Sequence, residues 1–477
     1  MSIRIKVAYA NYYAAFNLGG MKLAQARTKR HLTQLCGLLS LTLALSGCAA
    51  YKSDPLLTAS NAIGPTDLAV LSAKASAIDR PYLTPVQVDL AAPLDLNAVA
   101  VIAVVNNPDL KAQRARAGVS DAQLFAARLL PDPTLGFGID HILSGPDPLD
   151  AIMGQIGLDI SALRSRNAVL AGAKADAEAV RLDLAWAEWQ IAGQGKLQAI
   201  RTVYLAEAQR LSGLSKDSAD SLLTRSLRAA GRGDIRAEDV EVRRLAAIDA
   251  NTLANGSATD RAAARLELNR ILGLPPQSQL RLAALTLPDP PLDSEHLFAI
   301  ATAQRLDLKA LQAGYASQEA SVRKAVLDQF PNLSLTITGT RDNTGNKLLG
   351  PSVNFTLPLW NRNRGGIAVA QATREALKAE YEARLFQTRA EIAAAVSGLD
   401  LAKSQRAELV RQLPGLERFA AATRRAANRG DLALATAETA EQSLRDKQSA
   451  LVAASQAIAE QLVALELLTG SPMGNWQ

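Results

Sequence analysis

LAGAKADAEAV, residues 170–180, returns 197 positions later as IAVAQATREAL, residues 367–377, with identities at Ala171/Ala368, Ala173/Ala370, Ala175/Ala372, Glu178/Glu375 and Ala179/Ala376. The same shift lays RAAGRGDI (Arg228 to Ile235) on RAANRGDL (Arg425 to Leu432), and LGLP (Leu272 to Pro275) on TGSP (Thr469 to Pro472). Separated blocks that agree on one offset mean a duplication, and this period is far longer than that of a solenoid repeat. Length alone would allow two to four domains in 477 residues. The duplication favours two halves of one architecture.

The repeated blocks lie in long helices. No proline occurs between Leu149 and Leu274, and the residues there are mostly Ala, Leu, Arg, Glu, Asp and Gln, which favour helix. Leu163 to Ala230 is 68 residues, roughly 100 Å if helical throughout. This arm turns at Gly231-Arg232-Gly233-Asp234 and returns from Ile235 to Leu272; its counterpart from Arg362 turns at Asn428-Arg429-Gly430-Asp431 and returns to Leu468. Gly231, Gly233 and Gly430 supply the backbone freedom that ends one helix, and Asp234 and Asp431 are placed to cap the next. Gly193, Gly195 and Pro414-Gly415 are expected to bend or break the arms.

Ahead of each arm the apolar period changes from 3.6 to 2. Leu135, Phe137 and Ile139 alternate with Thr134, Gly136, Gly138 and Asp140, and Ile156, Leu158 and Ile160 alternate with Gly157 and Asp159. The second half repeats the pattern in 332–340 and 352–359. Each half therefore carries one β-hairpin, 133–161 and 332–359, with polar loops at 140–154 and 341–350. Helix is expected over 94–105 and 109–130, interrupted at Asn107-Pro108.

The reading divides the chain into a leader (1–47), an extended strap (48–93), a first repeat (94–286), a linker (287–295) and a second repeat (296–477). In the strap, Pro55, Pro65, Pro81, Pro85 and Pro93 argue against a helix of any length. The leader has basic residues, an apolar run from Leu35 to Leu45 and then Leu-Ser-Gly-Cys ending at Cys48; Met21 is an alternative start. That ending resembles a bacterial lipobox, which implies cleavage before Cys48, acylation such as palmitate on the cysteine, and, with Ala49 following, passage to the outer membrane. The apolar run is too short to span a bilayer. No later helix reads as a membrane span.

Of the 52 Lys and Arg residues, six lie before residue 48 with no acid among them, which leaves 46 against 46 Asp and Glu. The basic pI therefore belongs to the leader, and nucleic acid is not an expected partner. With Cys36 lost in the leader, no disulfide can form in the mature chain.

Two hairpins give four strands. Lipid tolerates no open sheet edge, and the smallest spanning barrels have eight strands. If the hairpins enter a membrane, several chains must pool them, and the arms below must pool into a tube. The competing expectation is a soluble four-stranded sheet with one covered face.

The order helix, hairpin, long helix, turn and return helix, repeated twice, together with LPLWNRNRGGIAVAQA (Leu357 to Ala372) and the tip motifs AGRGDI and ANRGDL, resembles the outer-membrane efflux family of TolC type. The resemblance covers roughly residues 94–472. It implies a mainly α fold with a small β part: a homotrimer with a 12-stranded outer-membrane β-barrel, a 12-helix coiled-coil barrel across the periplasm and an equatorial collar. It also implies a passive exit duct that meets a periplasmic adaptor and an inner-membrane pump. The LPLWNRNRGG stretch is most similar to members serving heavy-metal and related resistance-nodulation-division pumps. A type I protein-secretion duct uses the same tube, and a lipid-anchored periplasmic scaffold or adaptor is the alternative in which the hairpins never meet lipid.

Enzyme chemistry has no footing. After residue 47 the histidines are His141 and His296, in different halves, and no CxxC, HExxH, phosphate-cradling glycine loop or GxSxG occurs. No metal site or cofactor is expected beyond lipid on Cys48. A conduit selects through rings of side chains, and the helix turns are the natural constriction. The candidate gate residues are Arg232, Asp234, Arg429 and Asp431, with Glu238 and Glu438 a turn further on and Glu441 beyond. Trp360 is expected at a membrane interface, Trp186 and Trp189 within the helical layer.

Overall fold

The computed structural model describes residues 51–58, 67–146, 149–286, 288–290 and 292–476. The leader, Cys48 and the start of the strap lie outside them. Residues 51–58 carry no regular structure and are exposed. Every helix and strand described lies in the second of two compact units, Pro65–Gln477.

Its elements, in order, are α1 (Leu68–Ser76), α2 (Leu96–Asn106), α3 (Pro108–Arg128), β1 (Thr134–Asp140), β2 (Ala151–Asp159), α4 (Ile160–Gly231), α5 (Ala237–Ile271), α6 (Ser294–Gln304), α7 (Leu306–Leu327), β3 (Leu333–Arg341), β4 (Lys347–Phe355), α8 (Arg364–Asn428) and α9 (Leu434–Thr469), with a last 3-10 turn at Met473–Asn475. The two halves follow one plan, as the duplication requires. One correction falls in the strap. Pro65 and Pro81 leave room for α1, whose N-terminus Asp67 caps by accepting from Ala69 N at 2.9 Å and Val70 N at 3.2 Å.

The long helices are uninterrupted. α4 has 72 residues and α8 has 65, about 108 and 98 Å at 1.5 Å per residue. Neither breaks at the expected positions. Gly193 and Gly195 serve close packing instead: a Cβ on Gly193 would lie 2.2 Å from Leu467 Cδ2, and one on Gly195 would lie 3.3 Å from Ala103 Cβ. Pro414 sits inside α8, where its ring removes one backbone donor without ending the helix.

The short helices stack end to end beside the long ones. On the strand side the lateral order is α3, α4, α7, α8; on the tip side it is α5, α4, α9, α8. At each joint a side chain ties the stacked ends to a neighbouring helix end. Asn107, wholly buried, caps α3 by accepting from Leu110 N at 3.0 Å and donates to Ile271 O, at the end of α5, at 2.9 Å. Arg305 holds the equivalent place, with φ/ψ of −59/122 against −56/127 for Asn107, and donates to Leu468 O at the end of α9.

The apolar core sits at this equator. On the first half it gathers Leu71, Val99, Ile102, Leu268 and Leu272; on the second, Leu297, Ile392, Leu399, Leu465 and Trp476. α2 is buried along Ala98–Val104 without a polar face, as a helix enclosed on all sides should be. By length and composition α9 is apolar enough to cross a membrane, contrary to the sequence expectation. It packs laterally against α8 and α4.

The four strands form one antiparallel sheet in the order β1-β2-β3-β4. The hairpins join through β2 and β3, with Ile156 opposite Ile337 and Leu158 opposite Leu335. Strand order and helix order agree: β1 to β4 continue into α3, α4, α7 and α8. β2 and β4 begin earlier than alternation indicated, at Ala151 and Lys347, so the loops shorten to 141–150 and 342–346. β4 stops at Phe355, which leaves Leu357 and Leu359 outside it. Asp342 tightens the second loop by accepting from Thr344 N at 3.1 Å and Asn346 N at 2.7 Å.

Candidate functional site

A sheet with two chemically distinct faces and open edges is the first functional feature. The register puts Leu135, Phe137, Ile139, Ile152, Ile156, Leu158, Leu333, Leu335, Ile337, Leu349, Val353 and Phe355 on one side. Residues on this face stand open, Leu135 at 86% and Phe137 at 74% exposed. The other face is mostly small or polar: Thr134, Gly136, Gly138, Gln155, Gly157, Ser334, Thr336, Thr338, Ser352 and Asn354. Within the protomer β1 and β4 pair on one side only. Apolar outside, polar inside and unpaired at both edges describes a segment of a membrane barrel shared among chains. The covered soluble sheet considered from sequence would have buried its apolar face. Where the sheet meets the helices, Phe330 and Trp360 are exposed, Trp360 at 82%, and the Arg164 guanidinium lies 5.8 Å from the Phe330 ring centre.

At the far end of the arms the paired tips are built alike. α4 ends with Gly233 N donating to Ala230 O at 2.9 Å and Asp234 N donating to Ala229 O at 2.9 Å; α8 ends with Gly430 N to Ala427 O at 3.1 Å and Asp431 N to Ala426 O at 3.0 Å. This crossed pair requires a left-handed residue, and Gly233 and Gly430 have φ of 79° and 82°. Gly231 is the last residue of α4 and has open space around it.

The tip aspartates do not cap the following helices, as the sequence reading had them do: α5 and α9 have no side-chain cap bond. Each aspartate is held by the arginine two residues before it, Arg232 Nε to Asp234 Oδ2 at 2.9 Å and Arg429 Nε to Asp431 Oδ2 at 2.8 Å. All four are exposed, and among the described residues no ion pair joins one tip to the other. Glu238 is exposed in the first turn of α5.

Glu438 behaves differently. Its side chain is 11% exposed; it accepts from Arg424 Nη2 at 2.8 Å and from the Ser218 hydroxyl. Arg424 also holds Glu441 at 2.5 Å, and Arg445 lies 3.7 Å from Glu441. Hydrogen bonds from Arg424 keep Glu441 below the ordinary carboxylate value, and those to Glu441 and Glu438 raise Arg424. Ser218 belongs to α4 and Arg424 to α8, so this network ties the two helical hairpins together above the tips. A groove of about 530 Å³, floored by α4 and flanked by α5 and α9, opens beside it. Ser218 was not legible as a partner, since 220 residues separate it from Glu438.

At the equator, Glu188 on α4 accepts from Arg80 Nε at 2.6 Å and from Arg114 at 3.0 and 2.7 Å. Burial pushes its carboxyl up, but the two guanidinium groups outweigh that and hold it below the usual value. Lys196 and Glu466 pair at 2.8 Å between α4 and α9. Arg305 chelates Asp307 and lies 4.9 Å from the Trp186 ring centre. Trp189 is buried and donates to Leu467 O at 3.3 Å. These groups are structural in their geometry: each charge has an oppositely charged partner within hydrogen-bond reach.

His141 is hydrogen-bonded to Asp150 at 2.7 Å across the first loop, and His296 is exposed. No group of three or more potential metal ligands occurs among the described residues.

Residues 297–471 match the family described as outer membrane efflux protein. No curated protein matches the chain by sequence. Among solved structures, the CmeC outer membrane channel of Campylobacter jejuni is 17% identical, with 79% of this chain and 85% of that chain covered and a TM-score of 0.67. VceC of Vibrio cholerae is also 17% identical, covering 79% of this chain and 96% of its own, with a TM-score of 0.66. The outer-membrane channel OprN is 17% identical over 89% of this chain and 99% of its own, TM-score 0.66. At such identities the structures speak for the fold, and the family match speaks for the second repeat. Together with the duplicated plan, they give the chain a TolC-like fold whose second half matches the outer membrane efflux family.

Proposed function

We propose that the chain is the outer-membrane duct of a tripartite efflux system. One observation carries this reading: the sheet exposes an apolar face, keeps a polar one opposite, and leaves both edges unpaired in line with helices about 100 Å long. Three protomers would close twelve strands into a barrel and continue it as a tube of helices. The likeness to the solved channels CmeC and OprN supports that assembly.

Lipid on Cys48 would anchor the subunit to the same membrane. The tips would meet a periplasmic adaptor and, through it, an inner-membrane pump of the resistance-nodulation-division type, with small molecules or metal ions as cargo. Transport through this component is passive, because the energy enters at the pump. Closure would lie near the tips, where Glu438 links the hairpins, and opening would require that link to break.

The test is planar-bilayer recording on purified full-length protein whose trimeric state is fixed by cross-linking. Stepwise conductance from a trimer is the expected result. A monomer, or a trimer that never conducts even when the Glu438 link is removed, would favour the periplasmic scaffold.

A further inference from the structure

The lipid-facing side of the sheet ends in a row of cations. Gly339 and Arg341 continue the alternation of Leu333, Leu335 and Ile337, and Lys347 continues that of Leu349, Val353 and Phe355. Arg341 and Lys347 are direct cross-strand partners, in a row with Ile139 and Ile152. Like charges placed opposite each other on a sheet repel. Among the described residues neither has a carboxylate within 4.0 Å: Asp150 is engaged with His141 and Asp342 with its own turn. Arg341 donates once, from Nη2 to Asp150 O at 3.2 Å, while its Nε is buried without a partner.

The position of the row points to the kind of anion that would suit it. It bounds the apolar band at the end away from the helices, whereas the helix end carries the aromatic residues Phe330 and Trp360. With the arms in the periplasm, the cations lie at the headgroup level of the outer leaflet. We infer that Arg341 and Lys347 form a binding site, repeated three times around the barrel, for the phosphate groups of an acylated outer-leaflet glycolipid. Its acyl chains would lie against Leu349, Val353 and Phe355. The inference rests on the reading of this sheet face as lipid-facing.

The experiment is native mass spectrometry of the full-length trimer in detergent with diphosphoryl lipid A, set against the dephosphorylated form of the same lipid. Native protein is expected to retain the diphosphoryl form and to release the dephosphorylated one. Arg341→Gln or Lys347→Gln should weaken retention roughly 5-fold and the pair roughly 30-fold, from the worth of a basic residue at an anionic surface. Arg341→Lys combined with Lys347→Arg should restore it. Equal retention of both lipids by the native trimer, or undiminished retention by the double glutamine variant, overturns the site. Displacement of the lipid by millimolar inorganic phosphate also overturns it, in favour of a free-anion site. A trimer that conducts but shows no phosphate preference defeats this inference alone; a protein that forms no membrane-inserted trimer defeats the duct reading first.

Discussion

Replacing Glu188 by glutamine tests whether the equatorial clamp holds the strap to the tube. The carboxylate is 1% exposed and takes three hydrogen bonds, one from Arg80 on the strap and two from Arg114 on α3. A hydrogen bond to a charged group contributes about 1.5–3 kcal/mol, and removing one side of a buried pair costs about 3–5 kcal/mol. Here the arginines are 41% and 34% exposed, so water recovers part of that once the charge is gone, and glutamine still accepts one weaker bond. A loss of about 2–3 kcal/mol per protomer follows, or about 30- to 150-fold in a local opening constant.

Amide hydrogen exchange in the assembled trimer reads that constant at Leu83 N, bonded to Arg80 O at 3.0 Å, and at Val86 N, bonded to Ala75 O at 3.4 Å. The strap should exchange faster by that factor while Gly233 N at the tip stays unchanged. The pH dependence has a definite sign. Glu188 is held below its ordinary value, so its contribution is complete above the unfolded carboxylate pKa, about 4.3, and fades as pH falls through the depressed folded value. The difference between native and variant protein should therefore be constant from neutral pH to about 5 and shrink below about 4. Unaltered strap exchange, or equal acceleration at strap and tip, would show that the clamp is not what fixes the strap.

Four other outcomes are expected. Gly233→Ala and Gly430→Ala should each loosen their tip by about 1 kcal/mol, since both need positive φ, while Gly231→Ala, with open space around it, should not; tip amide exchange separates them. Phe137→Arg on the apolar face should cost about 2–4 kcal/mol of barrel stability and deplete heat-resistant trimer in membranes, whereas Thr336→Arg on the opposite face should leave the trimer intact. Glu438→Ala removes the link to Ser218 and one bond from Arg424; single-channel recording should show open probability raised about tenfold, with α8 and α9 still joined through Glu441. Cys48→Ser should abolish labelling by palmitate while trimers persist, because the barrel itself holds them in the membrane.

The architecture was legible where it rests on periodicity and on backbone geometry. A left-handed turn demands glycine, so the shared offset of Gly233 and Gly430 carried the tips, and alternation carried the strand faces. Strand starts escaped because Met153-Gly154 and Gly350-Pro351 blur the alternation. Gly193 and Gly195 misled because a glycine that lets Leu467 or Ala103 come close looks the same in sequence as one that breaks a helix. α1 was hidden by a count of prolines that ignored the cap at Asp67. The buried ion pairs were invisible for a different reason: Glu188 and Arg80 are 108 positions apart and Lys196 and Glu466 are 270 apart, and no local pattern encodes such a meeting.

The duplication preserves geometry while chemistry diverges, and that bears on the gate. At the joint between stacked helices, Asn107 in one half and Arg305 in the other have nearly the same backbone angles and reach the same kind of carbonyl. At the tips the 197-residue shift aligns Glu241 with Glu438. Glu241 is exposed and faces its own helix neighbour Arg244 at 3.3 Å, whereas Glu438 is enclosed by Arg424 and Ser218. The partner that makes the difference, Arg424, aligns with Leu227, which has no charge to offer. At this position only the second hairpin holds the first through a carboxylate among the described residues. On the proposed reading, the tip links in a trimer number one per protomer rather than one per hairpin, an opening motion that starts at the second hairpin breaks these tip links together, and charge reversal at Glu241 should leave conductance as it was.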